Sequence, residues 1–130
     1  MKRLIPALLL LMFFSCSKTE GPGGQATIKG RVSVANINVL GTTIDSYEAQ
    51  EENVYINYGD IDNTFDDDVK TSHDGSFQFN YLNKGNYEIF IYSDCASCPK
   101  GQDSLIKVNV TIDNRADEID LGIITIANFI

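Results

Sequence analysis

The chain has 130 residues, 22% of them charged and 43% hydrophobic, with three cysteines, no tryptophan and a formal net charge of -8. That length supports one domain with a real core, and these proportions exclude a disordered acidic tail or a repeat array. A pI near 4.4 repels phosphate backbones, so no nucleic acid is expected as a partner.

The first residues read as a targeting segment. Lys2 and Arg3 precede an eleven-residue apolar run, residues 4–14, broken only by Pro6. This is too short to cross a hydrocarbon core that needs ~20 helical residues, and it has the shape of a secretory signal. Phe13-Phe14-Ser15-Cys16 resembles a bacterial lipobox, in which the cysteine receives a diacylglyceryl group and becomes the new N-terminus. The resemblance implies a lipoprotein signal peptide over residues 1–15 and a lipid anchor on Cys16. Acyl chains bury methylenes at about 0.8 kcal/mol each, enough to make such attachment lasting. Ser17 resembles the outer-membrane sorting pattern of Gram-negative lipoproteins, so the expected location is the outer membrane, on its periplasmic or cell-surface side. Gly21, Pro22, Gly23 and Gly24 give residues 16–25 the composition of a flexible tether. The folded domain is expected over residues 26–130.

From Ala26 onward the pattern has period two. Ile28, Gly30, Val32 and Val34 alternate with Thr27, Lys29, Arg31 and Ser33, as in a strand with one face inward. An insert over residues 36–52 carries Ile37, Val39 and Ile44 and is expected to add an edge strand. Residues 54–58 form the next strand. Phe77, Phe79 and Tyr81 alternate with Ser76, Gln78 and Asn80, whereas residues 87–92 are apolar on both faces and suit a central strand. Ile106, Val108, Val110 and Ile112 mark a further strand, and a last one starts at Glu118. Gly59-Asp60, His73-Asp74-Gly75, Asn83-Lys84-Gly85-Asn86, Pro99-Lys100-Gly101 and Asp113-Asn114 supply the turns. With no 3.6-residue apolar period anywhere, the expected fold is all-β, a single immunoglobulin-like or prealbumin-like β-sandwich of about seven strands.

Thr71-Ser72-His73-Asp74-Gly75-Ser76-Phe77-Gln78-Phe79, followed by Leu82, Gly85, Tyr87 and Ile89, resembles the carboxypeptidase regulatory-like domain, a prealbumin-like sandwich. Ile28-Lys29-Gly30-Arg31-Val32 and Asn53-Val54-Tyr55-Ile56 match the same pattern in order. Gly75 suits a tight turn with positive φ, Phe77 and Phe79 fill the core, and Gly85 turns the chain so that Tyr87 packs on the same layer. The resemblance implies a structural motif, a non-catalytic module and no catalytic residue. Fold alone does not give function.

Four features bear on chemistry. Cys95 and Cys98 form a C-x-x-C in an exported chain, which reads first as a disulfide, with free thiols, a metal site and redox catalysis as the other uses. A redox site would want a helix N-terminus, which the pattern lacks. Asp60, Asp62, Asp66, Asp67 and Asp68 crowd five carboxylates into a short loop. It reads as a solvated acidic loop, with calcium the alternative, since Ca²⁺ takes 6–8 oxygens, although the spacing is not an EF-hand. His73, the only histidine, reads as a turn residue. Tyr55, Tyr81 and Tyr92, with Tyr47 and Phe65, are available either for cross-strand packing or as a stacking platform for sugars. The expected function is a non-catalytic, membrane-anchored binding or scaffold module whose partner is an envelope protein or a glycan. Its expected cofactor is none, and the alternative is a calcium-dependent adhesion or glycan-binding module built on residues 60–68.

Overall fold

A computed structural model describes residues 20–59, 65–95 and 103–130. Within them eight strands run in chain order: β1 (Pro22–Ile37), β2 (Thr43–Glu48), β3 (Asn53–Tyr58), β4 (Asp67–Lys70), β5 (Ser76–Leu82), β6 (Gly85–Ser93), β7 (Ser104–Ile112) and β8 (Glu118–Phe129). The fold is all-β, two sheets packed face to face, with no helix among the described residues. The expected count of about seven becomes eight because the four-residue β4 pairs with β3.

The first sheet is organised by β1, whose 16 residues serve two neighbours in succession along one edge. Its N-terminal part pairs antiparallel with β5 and its C-terminal part with β2, while β8 runs parallel along the other edge. The second sheet is antiparallel in the order β4-β3-β6-β7. β1 starts at Pro22, inside the segment whose composition reads as a tether, because Pro22 and Ala26 both register against Leu82 across a bulge. Gly24 is held within that bulge, where an added Cβ would lie 2.0 Å from the Leu82 carbonyl oxygen.

Alternation explains the core. Ile28, Val32, Val34, Phe77, Phe79, Ile124 and Ile126 from the first sheet meet Val54, Ile56, Tyr87, Ile89, Ile91, Val110 and Ile112 from the second. Each is the inward member of a period-two strand. Phe77 and Phe79, Leu82 and Tyr87 all lie in this core. Gly75 has φ 78° and Gly85 φ 140°, both in the region that favours glycine. At Gly75 the space is closed as well, since an added Cβ would come within 2.4 Å of the Val32 carbonyl oxygen. Thr71, buried ahead of that turn, donates from Oγ1 to the Ala49 carbonyl (2.6 Å) and accepts from Glu52 N–H (2.9 Å), clipping the β2–β3 connection to the β4–β5 turn. Tyr87 does similar work at the other end. Its hydroxyl donates to the Asn83 carbonyl (2.7 Å) and accepts from Gly21 N–H (2.9 Å).

The insert does form an edge strand, β2, but its apolar residues stay outside: Val39 is 94% exposed and Ile44 58%. Its tip is shaped by a polar group, the Asn38 side-chain oxygen, which accepts from the N–H groups of Leu40 and Thr42.

Candidate functional site

The outward face of the second sheet carries side chains that a sandwich does not need for folding. Because Val54 and Ile56 of β3 and Ile89 and Ile91 of β6 point into the core, Tyr55, Asn57, Glu88, Phe90 and Tyr92 project from the opposite face. Strand register sets them in rows. Asp68, Tyr55, Phe90 and Lys107 lie side by side across β4, β3, β6 and β7, and Asn57, Glu88 and Asn109 form the next row.

The first row is aromatic at its centre. Tyr55 and Phe90 stack with ring centroids 5.0 Å apart and an interplanar angle of 14°. Phe65, from the β3–β4 connection, leans on Tyr55 at 4.6 Å, and Tyr92 meets Tyr55 edge-on at 5.6 Å. Phe90 is buried beneath its neighbours, while Phe65 and Tyr92 keep about half their surface in solvent, at 48% and 45%. Offset and edge contacts of this kind contribute roughly 0.5–1.5 kcal/mol per pair beyond burial, so the cluster holds its shape without a ligand. Desolvation, the nearby Tyr92 and the carboxylates of Asp68 and Glu52 push the Tyr55 phenol above its ordinary pKa.

The second row is polar yet sheltered. Asn57 is 2% exposed and Glu88 4%. The Asn57 Oδ1 atom is buried with no hydrogen-bond partner. Glu88 lines a recess of about 280 Å³ together with Gly59, Asn86, Asn109 and Thr111. Beyond Tyr92, at the other end of the aromatic row, a recess of about 250 Å³ is walled by Tyr47 and Tyr92 and carries Glu52, Asp94 and Asp103. Burial, and then the Asp103 charge, raise the Glu52 carboxyl above the usual carboxylate range.

The residues singled out from sequence separate here. Tyr55, Tyr92 and Phe65 come together, Tyr47 borders them, and Tyr81 does not join, since β5 belongs to the other sheet. Tyr81 instead stands 73% exposed at φ 58°, a left-handed conformation unusual for an aromatic residue. Asp66 accepts from Tyr58 N–H (2.7 Å) and Asp67 from Asp68 N–H (2.8 Å), so two of the acidic side chains shape the β3–β4 connection. Asp60 and Asp62 lie outside the described residues, as do Cys16 and Cys98. Among the described residues no group of three or more His, Cys, Asp or Glu is placed to hold a metal ion. Cys95 is disulfide-bonded. His73 is exposed in the β4–β5 turn, whose Asp74 accepts from Ser76 Oγ (2.6 Å) and N–H (3.0 Å) and bonds Arg31. Phe90, Asn57, Glu88 and Asn109 carry the face but were not singled out from sequence. A charged residue inside the apolar run 87–92 was the available signal, because Glu is seldom buried without a reason.

Another recess, about 540 Å³, opens where β4 and β5 meet β1 and β8, bringing Lys29, Arg31 and Lys70 near Phe77 and Ile123. Lys29 already pairs with Glu118, and Arg31 with Asp74 and Glu48.

No family model matches the sequence, and no curated protein matches it. Among solved structures, the chain is similar to a "putative carbohydrate binding protein" from Pseudomonas aeruginosa, at a TM-score of 0.48 and 12% identity, covering 84% of this chain and 92% of that one. It is also similar to an (S)-allantoin synthase at a TM-score of 0.44 and 11% identity, covering 75% of this chain and 41% of the other. Neither likeness bears on function at these values.

Proposed function

We propose that the chain is a non-catalytic binding module of the bacterial cell envelope, held to the outer membrane by lipid on Cys16 and binding a carbohydrate on the outward face of its second sheet. The observation that carries this reading is the Tyr55–Phe90–Tyr92–Phe65 cluster, whose Phe65 and Tyr92 rings stay half in solvent, beside the polar row Asn57–Glu88–Asn109. Aromatic faces stack on the apolar faces of pyranose rings, and amide and carboxylate groups at the edge accept the ring hydroxyls. The finer assignment to the carboxypeptidase regulatory-like family belongs to the same proposal. Its support is that Gly75, Phe77, Phe79, Leu82, Gly85 and Tyr87 occupy the turn and core positions that motif needs. Closure of the Cys95 disulfide onto Cys98 is likewise part of it.

The anchor would be short. From Cys16 to Gly21, the first residue that Tyr87 ties down, the chain reaches at most about 18 Å when fully extended. The module would therefore sit close above the lipid headgroups.

Isothermal titration calorimetry of the full-length chain in detergent, against linear oligosaccharides of four to six hexose or hexosamine units, tests the reading. Binding is expected for at least one of them, weakened about tenfold by Tyr92→Ala with no loss of fold. If no oligosaccharide binds, or if Tyr92→Ala and Phe65→Ala leave the affinity unchanged, the reading fails.

A further inference from the structure

Resting on the carbohydrate reading, we infer that the bound sugar carries a free amino group, received by Glu88 and Asn57. The row that borders the aromatic cluster leaves two acceptors, the Asn57 Oδ1 atom and the Glu88 carboxylate, without a donor from the described residues. Asn57 and Glu88 are direct cross-strand neighbours, and Asn109 flanks Glu88 on its other side. The Asn57 Oδ1 atom is sealed from solvent and unpaired. Among the described residues no group hydrogen-bonds or ion-pairs with the Glu88 carboxylate, although the residue is only 4% exposed. Its opening to solvent is the recess it shares with Gly59, Asn86, Asn109 and Thr111.

A carboxylate that opens only to a narrow recess, with no partner among the described residues, costs more than one in open water, and a buried acceptor with no donor is costly too. Both costs are relieved together by a group that brings positive charge and several N–H donors. A primary ammonium has three donors and one charge. A sugar hydroxyl or an N-acetyl amide brings one donor and no charge, which leaves the carboxylate uncompensated. A hard metal ion wants six or more oxygens, and one carboxylate with neighbouring amides falls short of that. Spacing agrees with an amino sugar. Glu88 and Phe90 are two residues apart on β6, about 6.7 Å along the strand, so one ring can stack on the cluster while its substituent reaches the carboxylate.

The test compares three tetramers, glucosamine, N-acetylglucosamine and glucose, each β-1,4-linked, titrated at pH 6 into the full-length chain. Glucosamine is expected to bind at least tenfold tighter than the other two. Glu88→Gln, which keeps the shape and removes the charge, must erase that preference. Glu51→Gln, which removes an equal charge from an exposed position, must leave the preference intact. Asn57→Leu, close in volume, must lower the preference independently, so the inference stays testable if one variant does not fold. Equal binding of all three tetramers overturns the amino group while the carbohydrate reading stands. Absence of binding by any tetramer removes both. A preference that survives Glu88→Gln, or falls equally with Glu51→Gln, assigns the attraction to the general acidity of the surface and overturns the inference. So does a rise in melting temperature with calcium that Glu88→Gln abolishes, since the acceptors would then hold a metal.

Discussion

Replacing Tyr87 by Phe removes one oxygen atom and cuts two hydrogen bonds, one of them across 66 residues of sequence. The side chain is 2% exposed, and its ring stays in place against Tyr58, met edge-on at 5.9 Å. Burial is the larger influence on this hydroxyl and pushes its pKa up, while the hydrogen bonds from Gly21 and to Asn83 oppose that rise. Packing is therefore conserved in the variant and only the hydrogen bonds go. Gly21 N–H and the Asn83 carbonyl, which the Tyr87 hydroxyl joins, lose that bridge. A net hydrogen bond contributes about 1 kcal/mol, and a buried donor left unmade costs about 1–3 kcal/mol. Asn83 keeps other bonds here, its N–H donating to the Gly21 carbonyl (2.9 Å) and its side chain to Pro22 (3.0 Å), so the carbonyl relaxes more easily than the Gly21 amide. The expected loss is about 2 kcal/mol. For a domain of this size that lowers the melting temperature by roughly 6–12 °C. Urea melts of wild type and Tyr87→Phe measure it, with hydrogen exchange at the Gly21 amide as the local readout. A change below ~0.5 kcal/mol, or unaltered exchange at Gly21 with a lowered midpoint, would refute the claim that this hydroxyl pins the start of β1.

At Gly75, Ala must adopt φ 78° with its Cβ against the Val32 carbonyl, and a loss of at least 2 kcal/mol is expected in chemical melts. Asp74 should titrate at about 2, chiefly because Ser76 donates two hydrogen bonds to it; its contribution to stability is present above the ordinary carboxylate range near 3.8 and fades as pH falls through about 2. Carbon-detected NMR of the carboxyl follows it, and Ser76→Ala must move the midpoint back toward 3.8. Tyr58 is held up to about 12 by burial first and the Asp67 and Asp66 charges next, so whatever it contributes is intact below pH 10 and lost as pH rises through about 12; ultraviolet titration must show a phenol ionising near 12 that Tyr58→Phe removes. Mass spectrometry of the native chain is expected to find acyl groups on Cys16 and a Cys95–Cys98 linkage, and an unmodified Cys16 would remove the anchor from the proposal.

The strands were legible because alternation has one cause, a single buried face per sheet, and it runs unbroken through Ile28 to Val34 and Ile106 to Ile112. The turn at Gly75 was legible for a related reason: a glycine between Asp74 and an aromatic-x-aromatic strand has few other uses. The start of β1 was not. Pro22, Gly23 and Gly24 look like a linker, and what makes them strand is a distant set of hydrogen-bonding and pairing partners on Leu82, Asn83 and Tyr87. The parallel pairing of β1 with β8 was equally hidden, since nothing local in 118–129 names its neighbour. The outward face of the second sheet was half visible. Tyr55 and Tyr92 could be flagged as aromatic, but their meeting depends on the β3–β6 register, and Phe90 looked like one more core residue in an apolar run.

That register also bears on the proposed ligand. The sandwich core is completed by the inward residues Val54, Ile56, Ile89 and Ile91 on the same two strands, and outward positions on an antiparallel sheet are ordinarily filled by small polar or charged side chains in contact with water. Here two rows of the outward face hold stacked rings, a buried Asn with an unpaired oxygen and a sheltered carboxylate. The polar pair is largely withdrawn from water with no donor for it among the described residues, so it does not add what a more ordinary pair of residues would add to the folded state. Sites that sacrifice stability in this way are commonly stabilised when the strain is removed. Glu88→Gln should accordingly melt higher than wild type without ligand, by differential scanning calorimetry, and lose that advantage when saturating sugar is present. A variant that melts lower in both conditions would mean that the carboxylate supports the fold, and the case for a ligand on this face would rest on the aromatic cluster alone.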